Sequence, residues 1–190
     1  MLSERIKAAT KNGHQNLEKQ VVYRLKAIEN NSDYADLLKF FFSYFETLEQ
    51  QIANNIPASL ESYFSVRRSA KDIAKDIAVL GADLADLPQA FLPVIENKNQ
   101  AIGALYVLEG ATLGGQVLRR EMAQRLDLDA DNGGAFLNVY GAETGRRWKD
   151  FLDYLGRLPL DAPAKERAVN AARSTFSCFE QWLDSQEVLL

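Results

Sequence analysis

The chain has 190 residues, which is enough for one domain with a sizeable hydrophobic core. Its formal net charge of −4 does not favour a nucleic-acid partner. The only cysteine, Cys178, excludes an intrachain disulfide and a cysteine-based zinc or iron–sulfur site. The N-terminus is charged where a signal peptide is apolar, and no run approaches about eighteen apolar residues. We therefore expect a cytoplasmic protein without a membrane span, formed by a single domain over residues 1–190.

The first part of the chain is predicted to be helical. Ser3 is a suitable N-cap for a first helix. The break at Asn30–Ser32 precedes a second helix, capped by Ser32 or Asp33, that runs to about Ala53. This second helix is apolar nearly all round, so we expect it to be central.

A proline and a glycine mark the next two helices. Pro57 suits the first turn of a short helix. Arg67–Leu80 follows as an amphipathic helix with Gly81 at its C′ position. Its outward-facing charges are predicted to be Lys71, Asp72, Lys75 and Asp76. Leu84–Pro93 is predicted to be a loop.

The remaining chain contains three longer helices. Lys98–Leu126 is predicted to be one long helix, and Phe136–Gly141 is compatible with a short extended segment. Ala142–Leu158 is predicted to be helical, and the last helix starts at Asp161 or Ala162. Since no stretch alternates convincingly with period two, the predicted fold class is all-α, a single-domain helical bundle.

The long helix carries four glycines, at positions 103, 110, 114 and 115. Each glycine inside a helix costs about 1 kcal/mol relative to alanine. Gly103, Gly110 and Gly114 are spaced by seven and four residues, so they share one helical face. Such a face admits either a neighbouring helix or a flat ligand, and the glycines alone favour the neighbouring helix.

His14 is the only histidine, so any imidazole chemistry must use it. A single histidine on a helix is more often a surface or core residue than a ligand. One imidazole is too few for a structural zinc site but is enough for haem, because the porphyrin supplies the equatorial bonds. Lys7 lies on the same face, about 10 Å earlier along the axis, where a cation can reach a haem propionate.

With these residues in place, the sequence resembles a known family. Lys7–His14 resembles the proximal-helix motif of haem oxygenases, and Tyr106–Leu118 resembles their distal-helix motif. Arg67–Gly81 and Thr144–Phe151 are also similar to the bacterial, biliverdin-producing branch, including forms associated with bacterial phytochromes. The resemblance covers nearly the whole chain.

The resemblance implies an enzyme that opens haem oxidatively to biliverdin, carbon monoxide and free iron. Haem, iron protoporphyrin IX, is then both substrate and cofactor, and O2 is the oxidant. An external electron donor, such as a ferredoxin, flavodoxin or reductase, is implied because the chain has no flavin or nicotinamide motif. A bacterial phytochrome that receives biliverdin is an implied partner.

The resemblance also implies roles for individual residues. His14 matches the ligand of the haem iron, and Gly110, Gly114 and Gly115 match the glycines over the distal side of the haem. Lys7 matches a cation that contacts the propionates. Further candidates for anchoring the propionates are Lys11, Tyr106, Arg119 and Lys149.

One position departs from the family pattern. Many haem oxygenases place an aspartate directly after the first distal glycine, where it organises water for proton delivery, and here that residue is Ala111. Proton delivery would then use Thr112, backbone carbonyls or ordered water, and Glu109 is adjacent but need not face the haem. Ala111 leaves open a haem storage or delivery protein without turnover. A helical interaction scaffold that binds no haem is the other alternative.

Overall fold

A computed structural model of the chain is built from α-helices. It describes residues 1–85, 87, 89–138 and 140–185. The helices are α1 (Leu2–Ala27), α2 (Asn31–Ala53), α3 (Ala58–Ser65), α4 (Ala70–Val79), α5 (Lys98–Leu126), α6 (Ala135–Asn138), α7 (Thr144–Arg157) and α8 (Ala162–Asp184). A short 3₁₀ turn at Gly141–Glu143 precedes α7. No strand occurs in these described ranges, so the predicted all-α fold class is confirmed.

The helix starts are close to the predicted ones, with two corrections. α1 begins at Leu2 with Met1 as its N-cap, not at a Ser3 cap. α2 is capped by Asn30, whose side chain accepts hydrogen bonds from the backbone N–H groups of Ser32 and Asp33. The residues predicted as caps are therefore donors to the cap, because Asn30 has the extended backbone that a capping side chain needs.

The prediction of a helix starting at Arg67 is wrong. α4 begins at Ala70, because Ser69 and Asp72 satisfy each other's backbone N–H groups in a capping box. Arg67 and Arg68 precede the helix, and both are buried. Gly81 follows α4 with a φ of 78°, in agreement with the prediction of a glycine at C′.

Asp76 is also placed differently from the prediction. Its side chain is directed inward, and the residue is only 2% exposed. Its carboxylate accepts hydrogen bonds from the backbone N–H groups of Ala135 (3.0 Å) and Phe136 (2.8 Å) at the start of α6. This bond pair holds α6 as a short helix, where an extended segment was expected. Residues 86, 88 and 139 of the two predicted irregular segments lie outside the described residues.

The core forms where aromatic side chains of α2 meet α8. Phe40 stacks on Trp182 with ring centroids 4.5 Å apart. The Trp182 indole N–H donates to the carbonyl of Phe40, and the Tyr44 hydroxyl donates to the carbonyl of Thr175 at 2.7 Å. α2 is thus buried over much of its length, as its apolar composition predicts.

α8 packs against both α1 and α5. Arg5 pairs with Glu166 near the start of α8, and Gln20 donates to Asp184 at its end, so α1 and α8 run in the same direction. The Arg125 guanidinium of α5 donates to backbone carbonyls at the end of α1, including that of Ile28 at 2.6 Å. The C-terminal ends of α1 and α5 therefore meet.

α5 is long and apolar enough to cross a bilayer by length and composition, although no such segment was expected. However, 56% of its apolar window is buried inside the protein. The core helix of a soluble protein passes the same test, so length and composition do not assign α5 to a membrane.

Candidate functional site

His14 lies on the inner stripe of α1 but is not covered by protein. Thr10, Leu17, Val21 and Leu25 form this stripe at helical spacing, and all four are buried or half-buried. His14 falls in register with them, yet its side chain is 60% exposed. The inner face of α1 is thus open at His14.

Phe176 of α8 contacts one side of the His14 imidazole ring. A Cβ on Gly13 would lie 3.3 Å from the Cβ of Phe176, so this glycine lets α1 approach α8 closely. The Phe176 ring meets the imidazole edge-on, with centroids 5.8 Å apart. Glu18 lies 3.9 Å from Nδ1, beyond hydrogen-bond distance. Within the described chain the imidazole nitrogens therefore have no hydrogen-bond partner.

Gly103 has the role of a packing residue. A Cβ at this position would lie 2.0 Å from the carbonyl oxygen of Ala168 in α8, a distance that real Cβ atoms do not show. The helix-packing explanation, which the glycines alone favoured, therefore holds for the first half of α5.

Gly110 and Gly114 lie on the same face about two and three turns after Gly103, where α8 no longer covers it. A Cβ on Gly110 would lie 3.5 Å from the ring of Trp148. A Cβ on Gly114 would have no atom of the described residues within 4 Å. Leu113 and Val117 beside Gly114 are 41% and 54% exposed. The second half of α5 is therefore open and apolar around Gly114, with the Trp148 ring beside Gly110.

Gly115 points elsewhere. It is buried, and a Cβ there would lie 3.5 Å from the carbonyl oxygen of Leu137 in α6 and 3.9 Å from the Arg68 guanidinium. Gly110 and Gly114 are thus brought to one face, whereas Gly115 accommodates α6. A direct contact of Gly115 with a ligand stays a prediction.

The open parts of α1 and α5 lie at the same level. His14 precedes Leu25 by eleven residues, and Gly114 precedes Arg125 by eleven residues. Since Leu25 and Arg125 mark the point where the two helices meet, both residues lie about 16 Å from it along their own helices. Both helices also pack on α8, so we expect the two uncovered faces to lie in the same part of the bundle.

The predicted propionate anchors are distributed over three helices. Lys7 and Lys11 are exposed one to two turns before His14, and Lys149 is exposed on α7. Tyr106 is buried one turn before Gly110, with its ring 5.1 Å from that of Trp148, and burial raises the pKa of its hydroxyl. Arg119 is half-buried, and its buried Nε has no partner among the described residues.

Thr112 is not on the open face. It is two residues from both Gly110 and Gly114, which turns its side chain to about the opposite side of the helix. The residue is 5% exposed, and its hydroxyl donates to the carbonyl of Glu109 at 2.6 Å. This hydroxyl is therefore engaged within α5.

A buried charged cluster lies behind the open face, and sequence reasoning missed it. The Arg67 guanidinium donates to Glu109 from Nε (2.6 Å) and to Glu49 from Nη1 (2.8 Å), and the Tyr63 hydroxyl donates to Glu109 at 2.6 Å. Burial alone would lower the pKa of Arg67, but Glu109 and Glu49 outweigh it and raise that pKa. The guanidinium is therefore charged, and Glu109 faces away from the open surface.

Arg68 is a second buried guanidinium beside this cluster. It lies 4.2 Å from the centroid of the Phe136 ring and donates to the carbonyl of Leu108 at 3.2 Å. Burial lowers its pKa to about 10, and the neighbouring charge of Arg67 acts in the same direction. Arg68 connects α6 to α5 near Gly115.

Trp148 is the other residue that the sequence did not single out. Its only signal was its place among the apolar residues of α7, which is a pattern typical of core packing. The contact with Gly110 depends on how α7 crosses α5, and no local pattern encodes that crossing.

Comparisons with known proteins agree with this architecture. The sequence model of the haem oxygenase family matches residues 1–185. The haem oxygenase PigA of Pseudomonas aeruginosa is 25% identical over 182 residues, covering 96% of this chain and 91% of that protein. A haem oxygenase of Xanthomonas campestris is 26% identical over 156 residues, covering 80% of this chain and 90% of that protein.

Solved structures are also similar. The NO- and CO-bound haem oxygenase of Neisseria meningitidis superposes with a TM-score of 0.81 at 25% identity, over 97% of this chain and 91% of that chain. A TenA homologue from Pyrococcus furiosus superposes with a TM-score of 0.59 at 16% identity, over 97% of this chain and 98% of that chain, which shows a shared fold alone. The predicted family and enzyme class are confirmed by the family match. The chain belongs to the haem oxygenase family, the enzymes of haem degradation.

Proposed function

We propose that this chain is a biliverdin-producing haem oxygenase that binds haem between α1 and α5. In this proposal His14 ligates the iron, and the face of Gly110 and Gly114 forms the distal wall. One observation carries it: His14 is exposed within an otherwise covered stripe, at the same level as the uncovered Gly114.

The residues present fit a flat, apolar, doubly anionic ligand. Gly114 leaves room for a ring against the backbone, and Leu113 and Val117 offer apolar contact on the same side. Lys7 and Lys11 place cations one to two turns from His14, within reach of propionates. The described residues contain no group of three His, Cys, Asp or Glu side chains arranged to hold a metal ion, so a metal at His14 needs ligands from a cofactor.

Bound haem supplies the iron that activates O2 and the meso carbon that is oxidised. The protein's own contribution is binding and orientation. His14 holds the iron through one imidazole nitrogen, with its ring held edge-on by Phe176. Trp148 and Tyr106 border the site beside Gly110 and limit how far the ligand can shift along α5.

Proton supply is assigned to solvent. Ala111 has no group that can donate, and it is exposed next to Gly110. The Thr112 hydroxyl is bonded within α5 and faces away, which leaves water at the open face as the donor. This arrangement supports turnover without the aspartate that many relatives of this family carry.

The wider setting of the protein is also a proposal. Electrons come from a separate donor, such as a ferredoxin, flavodoxin or reductase, and a bacterial phytochrome is the proposed recipient of biliverdin. A cytoplasmic location is part of the same proposal, and the single cysteine suits the reducing conditions there.

The test uses ferric haem with the wild-type protein and with His14→Ala. The wild type should give a ligated Soret band and, with ascorbate and O2, biliverdin absorption. His14→Ala should lose the ligated spectrum, whereas a control at the exposed neighbour, Gln15→Ala, should keep it. An unchanged spectrum in His14→Ala would remove the iron ligand from the proposal. A wild-type Soret band that stays intact under ascorbate would favour a storage protein.

A further inference from the structure

A path of contacts runs from the charged cluster to the Trp148 ring beside Gly110. The Tyr63 hydroxyl donates to Glu109, and the Tyr63 ring stacks on Phe151 with centroids 5.4 Å apart and planes 20° apart. Phe151 in turn meets Trp148 at 6.0 Å. Trp148 then lies against Gly110. The path therefore connects α3, α7 and α5.

The two ends of this path are adjacent residues of α5. Glu109 is fixed from the other side by Arg67, which also binds Glu49 of α2. Both carboxylates and the guanidinium are at most 13% exposed. A buried pair of this kind resists displacement, because separating it leaves uncompensated charge. Glu109 thus constrains both the rotation of α5 at Gly110 and, through this path, the position of the Trp148 ring.

Tyr63 connects Glu109 to the aromatic rings of α7. Burial and the nearby charge of Glu109 both raise the pKa of Tyr63, so its hydroxyl stays protonated and remains a donor to the carboxylate. Its ring, parallel to Phe151, passes that constraint to α7. No other described hydrogen bond of Glu109's carboxylate leads towards Trp148.

We infer that Tyr63 is a positioning residue, whose hydrogen bond to Glu109 sets the Trp148 ring over Gly110 and thereby the edge of haem that is oxidised. The part about the haem edge rests on the proposed function. The part about the Trp148 ring concerns the ligand-free protein and stands without it.

The test compares Tyr63→Phe with Tyr34→Phe, each of which removes one tyrosine hydroxyl. Tyr34 is a matched control, because it is 1% exposed and its hydroxyl has no partner in the described part of the chain. Acrylamide quenching of the ligand-free protein reports on Trp148, since the other tryptophan, Trp182, is 1% exposed. Biliverdin isomers are then separated after turnover with ascorbate.

Tyr63→Phe should raise the quenching constant and change a dominant biliverdin isomer into a mixture, while Tyr34→Phe changes neither. Phe151→Leu breaks the same path at another link and should raise the quenching as Tyr63→Phe does. Unchanged quenching in folded Tyr63→Phe and Phe151→Leu overturns the inference, whatever the proteins do with haem. Raised quenching with an unchanged isomer overturns the link to the haem edge. If no protein binds haem, the proposed function fails, and quenching alone still decides the role of Tyr63.

Discussion

The two halves of α5 use one glycine-bearing face for different purposes. In the first half, Gly103 lies against the backbone of Ala168, so the absence of a side chain lets two helices touch. In the second half, a Cβ added to Gly114 would meet no described atom within 4 Å other than those of its chain neighbours and its own helix backbone. A glycine within a helix costs about 1 kcal/mol, and of these two glycines only Gly103 has a helix contact that offsets the cost. Gly114 therefore calls for a functional explanation, whereas Gly103 does not.

The largest effect is expected from Gly103→Ala. The added Cβ would lie 2.0 Å from the Ala168 carbonyl oxygen, so α5 and α8 must separate. We expect a loss of about 3 kcal/mol or more in the free energy of unfolding, the upper end for overpacking. Urea unfolding measures it. Gly115→Ala is the control, because its Cβ would make only ordinary contacts at 3.5 Å. Equal stability of the two variants would contradict the packing role of Gly103.

The next largest effect is expected at Gly114, in the open second half of α5. Gly114→Leu should weaken haem binding at least about tenfold, which is about 1.4 kcal/mol, or change the biliverdin isomer. Its unfolding free energy should stay within about 1 kcal/mol of the wild type, because the new side chain enters open space. Haem titration and urea unfolding measure the two quantities.

Gly145→Leu is the matched control for that variant. Gly145 lies in α7 and also has no described atom within 4 Å of a Cβ. The Gly145→Leu protein should bind haem as the wild type does. A Gly114→Leu protein that folds, binds haem normally and yields the wild-type isomer would show that the two open glycines are equivalent.

A third prediction concerns the side of α5 where α6 covers Gly115. Asp76→Asn leaves one of the two N–H groups at the start of α6 without an acceptor, which should cost about 1–2 kcal/mol. Burial raises the pKa of Asp76 above 3.8, so the folded state keeps this proton to higher pH than the unfolded state. The contribution of Asp76 to the free energy of unfolding is then fully present below pH 3.8 and decreases as the pH rises through the raised pKa.

The stability advantage of the wild type over Asp76→Asn should therefore narrow as the pH rises through the acid range. Chemical unfolding of both proteins from acid to neutral pH measures this difference. An advantage that widens with pH would show that the two hydrogen bonds, which lower the pKa, outweigh burial.

The smallest effect is expected from Gly114→Ala. A methyl group fits in the open space, and alanine favours the helix by about 0.5–1 kcal/mol, so the protein should become more stable. The melting temperature measures this change. A loss of stability would mean that Gly114 is needed for packing, as Gly103 is.

Local patterns predicted much of the fold and less of the site. The bounds of α5 match the prediction, and α8 begins at Ala162, one of its two predicted starts, because periodicity and capping act within a few residues. The outward placement of Asp76 was wrong, since its partners lie about sixty positions later in the chain. The burial of Arg67 likewise depends on carboxylates from α2 and α5.

The sequence by itself determined the helical class, the family and a short set of residues with the chemistry for haem, above all His14 and the glycines of α5. It could not show which of those glycines pack against a helix and which stay open. Helical spacing places Gly103, Gly110 and Gly114 on one face but does not indicate what covers that face. Only the tertiary structure decided that α8 covers Gly103, that Trp148 borders Gly110 and that Gly114 is left open. The physical reason is that side-chain type acts locally, whereas the crossing of helices distant in sequence decides which surface remains uncovered.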